Sequence, residues 1–460
     1  MFTRTKTPDN RLIEEPVPTL PVDQPEPETR YSLLSAAAEE CKERIYGELM
    51  KILDLTLLDH ISPEETRQQI QSICKQLMEK QEVRFSYQDR QKIIQHIEHE
   101  IIGLGPLEPL LADKTISDIL VNGTNSIYLE RKGKLERCPL RFTSDRHLTN
   151  IIDRIVSRVG RRIDESSPLV DARLEDGSRV NVIIPPLAID GPVLSIRRFA
   201  VERLSMENLI KLGTVPDFLA PVLDAIIKAR LNVVISGGTG SGKTTLLNIL
   251  SACIPDSDRI ITIEDSAELQ LQQPHTVRLE SRPANVENKG EISQRDLVRN
   301  SLRMRPDRIV LGEVRGAEAL DMLQAMNTGH DGSLSTIHAN APRDALSRIE
   351  NMIAMTGINF SVKALRSQIA SAIHVIIQVQ RQQDGKRRLV SVQEINGMEG
   401  DIITMSEIFR FQRQGIDENG KVMGEFMATG IVPSFYPALK QHGIDLPIEV
   451  FSEERRESHV

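Results

Sequence analysis

The chain has 460 residues, enough at roughly 100–200 residues per domain for two to four domains, and its 40% hydrophobic content supplies ordinary cores. With 57 basic against 65 acidic residues the net charge is −8, Trp is absent and aromatics make up 3%. This composition argues against a generic nucleic-acid binder and against a base-stacking platform for single strands, so no direct nucleic-acid contact is expected.

Residues 1–30 carry six prolines and few apolar side chains and are expected to be a disordered leader. They hold no apolar stretch of the kind a secretory signal needs, and no run of about 18 apolar residues occurs anywhere that could span a bilayer. A cytoplasmic location is therefore expected. The four cysteines, Cys41, Cys74, Cys138 and Cys253, form no CxxC pair and are expected to be reduced, mostly buried thiols.

Residues 31–103 are expected to form a helical bundle. Leu34, Ala37, Cys41, Ile45, Leu49 and Ile52 recur at helical spacing. Ser62-Pro63-Glu64-Glu65 is a helix start with a capping box, and Ile70, Ile73 and Leu77 continue that stripe. A third segment begins near Ser86, runs through Ile93, Ile97 and Ile101, and stops at Gly103-Leu104-Gly105-Pro106.

Residues 104–200 change character. Short β-rich runs at Ile119–Val121 and Ile127–Leu129 are punctuated by Asn122-Gly123 and Lys132-Gly133, Ile151–Val159 has helical spacing, and further extended runs end at Arg179–Ile184 and Val193–Phe199. This is an α+β domain. A linker is expected over 201–212. From 213 to 412 short β-rich runs (Asn232–Ser236, Ile260–Ile263, Ile309–Leu311, Ser333–Ile337) alternate with helical patterns, which predicts a largely parallel sheet covered by helices. Asp384-Gly385 marks a hairpin after it, and 413–460 are expected to be a mixed tail.

The strongest local signal is Gly237-Gly238-Thr239-Gly240-Ser241-Gly242-Lys243-Thr244-Thr245, a complete GxxxxGK[ST] placed between a strand and an apolar helix. Its glycines let backbone amides wrap phosphate, the helix N-terminus adds partial positive charge, Lys243 is suited to the β- and γ-phosphates, and the Thr244 hydroxyl is suited to Mg²⁺. Such a loop does not name the reaction, because kinases, GTPases, translocases and motors share it. The run Arg308-Ile309-Val310-Leu311-Gly312-Glu313 is a buried strand whose carboxyl end belongs at the same sheet edge. Glu313 there could orient a water for in-line attack. Glycine precedes it where an aspartate is usual, so support for the metal must come from elsewhere, and Glu264-Asp265 at the end of another strand are the available acids.

Gly312–Gly316, followed by Thr328-Gly329-His330 and Ser335–Asn340, resembles the type II/type IV secretion ATPases, a superfamily of hexameric motors. The resemblance implies a RecA-like P-loop domain preceded by a PAS-like α+β domain, with ATP and Mg²⁺ as ligands. It implies a catalytic Glu313, an aspartate box at Glu264 and Asp265 with Glu268 close by, a histidine box at His330 and His338, and nucleotide-directed arginines among Arg173, Arg179, Arg197 and Arg198, with Arg179 and Arg197 preferred. Gly103–Leu111, Ser117–Gly123 and Thr429–Phe435 further resemble the tight-adherence (Flp) pilus branch. That branch implies a homohexamer at the inner face of the cytoplasmic membrane, bound there through a platform membrane protein. A type IV secretion ATPase for protein or DNA–protein export and an ATP-gated scaffold without sustained turnover are the alternatives.

Overall fold

The computed structural model describes residues 34–52, 62–80, 85–131, 134–198, 204–284, 289–358 and 360–459. The expected leader and the Lys132-Gly133 turn lie outside these residues. The chain divides into two compact units, 1–199 and 200–460.

In the first unit, helices Ala36–Ile52, Pro63–Lys80 and Tyr87–Ile101 pack around Cys41, Ile45, Leu49, Ile70, Cys74, Ile93 and Ile97. The capping box forms as expected: Glu65 N–H donates to Ser62 Oγ at 3.3 Å, and Ser62 N–H to Glu65 Oε2 at 3.1 Å. The first stripe needs correcting, since Ala38 is buried in place of Ala37 and Ile52 is 59% exposed. Six strands follow: β1 (Asp118–Asn122), β2 (Ile127–Arg131), β3 (Lys134–Cys138), β4 (Leu169–Arg173), β5 (Arg179–Ile183) and β6 (Val193–Arg197). They form one antiparallel sheet in the order β3-β2-β1-β6-β5-β4, and the helix Asp145–Arg158 shares their core through Leu148, Ile151, Ile152 and Ile155.

Bundle and sheet are joined at Gly103–Leu111. Glu108 Oε1 accepts from Leu104 N–H at 2.8 Å, and a Cβ at Gly103 would stand 2.6 Å from that oxygen. Arg154 Nη1 donates to Glu100 O at 3.0 Å and also to Gly103 O, and Arg158 Nη2 donates to Ile102 O at 3.1 Å.

The second unit is built on β7 (Val233–Gly237), β8 (Ile260–Glu264), β9 (Thr276–Glu280), β10 (Arg308–Val314), β11 (Leu334–His338) and β12 (Val375–Arg381), all parallel in the order β12-β7-β11-β10-β8-β9. Alternate residues of these strands face opposite layers. Val233, Ile235, Val310, Ile377 and Val379 pack with the helices Ala220–Lys228 and Lys243–Ser251. Val234, Ile261, Ile263, Ile309, Leu311 and Ile376 pack with the helices Glu318–Asn327, Pro342–Ala354 and Val362–Ala372. Central strands buried on both faces are why the sequence shows short continuous apolar runs there.

Two expected boundaries move. The stretch read as a linker contains the helix Met206–Lys211, capped by Ser205 and Asn208 and anchored by buried Leu209. The tail is continuous with the sheet: β13 (Arg387–Glu399), β14 (Ile402–Ile416), β15 (Val422–Ala428) and β16 (Arg456–His459) extend it antiparallel from β12, and β14 runs through residue 413. Phe435, Tyr436, Leu439, Val450 and Phe451 belong to the core that holds the helix Lys243–Ser251.

Candidate active site

Strand β7 ends at Gly237, where a Cβ would stand 2.5 Å from both Ser241 Oγ and Val379 O, so no side chain fits. Gly240 (φ 69°) and Gly242 (φ 97°) take left-handed backbone that turns the chain into the helix Lys243–Ser251. Gly238, Thr239 and Gly240 form the outside of the turn, and Thr244 and Thr245 lie half-buried in the helix's first turn. Ser241 Oγ is buried with no partner among the described residues. Lys243 Nζ donates back to Gly238 O at 3.2 Å, and burial lowers the pKa of the ammonium while Glu313 acts in the opposite sense. The loop thus presents a helix N-terminus beside a desolvated cation, an arrangement that a phosphate complements.

Glu313 arrives two strands away. The pairing of β10 with β11 shifts register between Leu311 and Val314, which sets Gly312 and Glu313 in a bulge at the carboxyl edge. Thr336 Oγ1 fixes the bulge by donating to Gly312 O at 2.7 Å. Burial raises the pKa of the Glu313 carboxyl, but a hydrogen bond and charge from Arg315 outweigh it, with help from Lys243 and His338, and leave it below the ordinary range. Arg315 Nη2 donates to Glu313 Oε2 at 2.7 Å, and its Nη1 lies 3.6 Å from Asp265 Oδ2. His338 pairs with Gly237 across β11 and β7. Burial first, then the charges of Lys243 and Arg348, push its imidazole toward the neutral form.

The glycine before Glu313 has a structural reason. A Cβ at Gly312 would meet Glu264 Cγ at 2.9 Å, so the neighbouring strand's carboxylate occupies the volume that a side chain at 312 would need. Glu264 Oε1 accepts from Glu268 N–H at 2.8 Å and Leu269 N–H at 3.0 Å, while Oε2 is buried without a partner among the described residues. Burial raises the Glu264 pKa. An orphaned carboxylate oxygen and the Thr244 hydroxyl at one sheet edge suit a hard cation that takes its remaining ligands from phosphate and water. Among the described residues no group of three or more His, Cys, Asp or Glu could hold a metal by itself. Asp265 lies further out, half-exposed, accepting from Ser281 Oγ at 3.0 Å.

The structure therefore brings together Gly237–Thr245, Glu264, Asp265, Glu313 and His338. It does not bring His330 to them. His330 precedes β11 at its amino end, so a strand of about 13 Å separates it from the edge where His338 lies. Its carbonyl accepts from Ser333 Oγ at 2.7 Å, and its Nδ1 is buried without a partner among the described residues. Arg179 and Arg197 belong to the first unit, where Arg173, Arg179 and Arg197 are successive cross-strand partners on β4, β5 and β6. Arg197 is 67% exposed, with Nε 4.0 Å from Asp118 Oδ1. Arg198 instead donates to Asp113 O at 2.6 Å, a tie within that unit. The role of Arg315 was not read from the sequence; its position two residues after Glu313 is the signal that would have found it, since i and i+2 share a face in extended chain.

Residues 100–417 match the profile of the type II/IV secretion system protein family. The chain belongs to that family. A putative conjugal transfer protein of Mycobacterium tuberculosis is 38% identical over 312 residues, covering 66% of this chain and 88% of the relative. The type IV secretion system protein PtlH of Bordetella pertussis is 32% identical over 323 residues, covering 64% of this chain and 95% of PtlH. Among solved structures, the VirB11 ATPase of the Brucella suis type IV secretion system, in complex with sulphate, is similar with 27% identity and a TM-score of 0.34, over 62% of this chain and 91% of that one. Family membership together with the intact phosphate loop makes this member a secretion-class motor ATPase with a RecA-like sheet. Among the described residues no helix is long and apolar enough to cross a membrane.

Proposed function

We propose that this ATPase hydrolyses ATP with Mg²⁺ in the cytoplasm and works as a homohexamer that drives assembly of a Flp-type pilus through a membrane platform protein. The observation that carries the catalytic part is Glu313, set in the β10 bulge close enough to Lys243 that each charge favours the other. In this mechanism the loop amides and Lys243 hold the triphosphate. Glu313 leaves Arg315, orients a water in line with the γ-phosphorus and accepts its proton. Thr244, with Glu264 and Asp265 beyond it, would hold Mg²⁺, which supplies charge neutralisation on the β- and γ-oxygens. His338 reports on the γ-phosphate. Arg179 and Arg197 lend positive charge to the transition state; their adjacent positions on β5 and β6 support their acting as a pair. His330 keeps a proposed coupling role only, at the opposite edge of the sheet.

Phosphate release from the purified chain, with and without Glu313→Gln, tests the catalytic core. Glu313→Gln is expected to lower kcat by about 10²–10⁴-fold, and equal rates would sink the assignment. Native mass with and without nucleotide tests the hexamer.

The second reading, export of protein or DNA–protein complexes, is favoured by the conjugal-transfer and type IV secretion relatives. Two of the three motifs that point to the pilus branch sit at structural joints: Gly103–Leu111 ties bundle to sheet, and in the late motif Ser434 N–H and Phe435 N–H donate to Glu394 at 2.8 and 3.0 Å. Deleting the gene and imaging surface filaments separates the two readings, since filaments that persist unchanged count against the pilus role.

A further inference from the structure

On the flank of the phosphate loop away from Glu313, two arginines stand opposite each other. Strand β12 runs parallel to β7 with Val379 paired to Gly237, so Arg381, two residues on, rises past the sheet edge at the level of the loop. The chain returns in β13 at Arg387, the direct partner of Arg381. Arg387 Nε donates to Gly240 O at 3.0 Å, and its Cδ lies 3.2 Å from where a Cβ on Gly242 would stand. Arg381 Nη1 lies 3.9 Å from the corresponding point on Gly240.

Like charges placed directly across an antiparallel pair weaken it, and among the described residues neither arginine has a carboxylate partner. Their neighbour Arg388 shows the contrast, being buried and paired to Asp384 at 3.1 Å. Two exposed, unbalanced cations touching a loop built for phosphate call for an anion that arrives with the ligand. Lys243 and Glu313 mark the γ-phosphate end on the β10–β11 side of β7, whereas the hairpin lies on the β12 side. We propose that Arg381 and Arg387 clamp the diphosphate portion that ATP and ADP share, setting the affinity for both nucleotides and favouring them over monophosphates. The proposal rests on the reading that the loop holds a nucleoside triphosphate.

The test is titration of the full-length chain with ADP, with a non-hydrolysable ATP analogue and with AMP, at two salt concentrations. The proteins are wild type, Arg387→Ala, the double Arg381→Ala/Arg387→Ala variant and the double lysine variant. The alanine pair is expected to weaken ADP and the ATP analogue by the same factor, about tenfold or more. It should also flatten the salt dependence of ADP binding, with the lysine pair restoring much of both. Three results would overturn the clamp: ADP affinity within about twofold of wild type, loss for the analogue but not for ADP, or weakened ADP binding with an unchanged salt response, which marks a mere prop for Gly240. If the alanine pair does not fold, Arg387→Ala carries the test: it must weaken ADP and the ATP analogue equally and flatten the salt dependence of ADP binding, and ADP binding unchanged in this variant overturns the clamp. Wild-type protein that binds ADP yet releases no phosphate from ATP would overturn the ATPase reading while leaving the clamp standing, so the two failures are distinguishable.

Discussion

Glu264 and Glu313 are two glutamates a strand apart with opposite electrostatics. Glu313 is drawn below the ordinary range by Arg315, so it is ionised across the neutral pH range and ready to attract a water. Glu264 is raised by burial. A carboxyl whose folded pKa lies above its unfolded value contributes stability that is complete below the unfolded pKa and is lost as pH rises through the folded one. Nucleotide-free Glu264→Gln protein should therefore match wild type near pH 4.5 and gain on it toward pH 8. The gain should be about 1.4 kcal/mol for each pH unit by which the pKa is raised. Thermal midpoints measured across that range check this, and parallel curves for the two proteins would refute it. The same variant should need more Mg²⁺ for half-maximal phosphate release. The sequence named both acids but not their division of labour, because burial depends on which strands become neighbours.

At the scale of elements, the hairpin β12–β13 is anchored by a buried ion pair. Arg388 is 1% exposed, donates to Asp384 and to Val422 O at 3.2 Å, and lies over the Phe411 ring at 5.3 Å. Asp384 in turn accepts from Val422 N–H at 3.1 Å. Removing one partner leaves a buried charge uncompensated, so Arg388→Ala should cost about 3–5 kcal/mol, read as a lower denaturant midpoint. Arg387→Ala, one residue away and exposed, should cost well under 1 kcal/mol in the absence of nucleotide. The Asp384-Gly385 turn was legible as a hairpin. Its anchoring was not, since Val422, which closes the pair from β15, lies among residues read as a tail.

The molecule as a whole shows where sequence reading reaches and where it stops. Strands β7, β8, β10 and β11 announced themselves as short apolar runs because both of their faces are covered. Edge strand β9 gave no such run, since Thr276–Glu280 is half-exposed along most of its length. The phosphate loop could be placed from local chemistry alone, and Glu313 from the buried apolar strand that ends at it. His330 was grouped with His338 by motif, yet a whole strand length lies between them, a separation that spacing along the chain does not reveal. The sequence leaves the role of the tail open, because only the fold brings its aromatics to the core beneath the phosphate-loop helix. Burying a Phe, Leu or Val side chain is worth roughly 1.5–3 kcal/mol, so Phe435, Tyr436, Leu439, Val450 and Phe451 together are comparable with the usual net stability of a domain. A chain ending at residue 412 should accordingly fail to give a cooperative thermal transition and should bind no ADP.

The close approach of Gly312 to Glu264 carries an evolutionary corollary. While Glu264 fills that volume no side chain fits at 312, so a side chain can enter at 312 only with a smaller residue at 264. Aspartate introduced at 312 alone should be crippling, through overlap and repulsion together. The exchange Gly312→Asp with Glu264→Gly should recover part of the Mg²⁺-dependent turnover. Among distant kin, an acid at the site matching 312 should travel with a small residue at the site matching 264, a covariation that would betray the shared space without any structure at all.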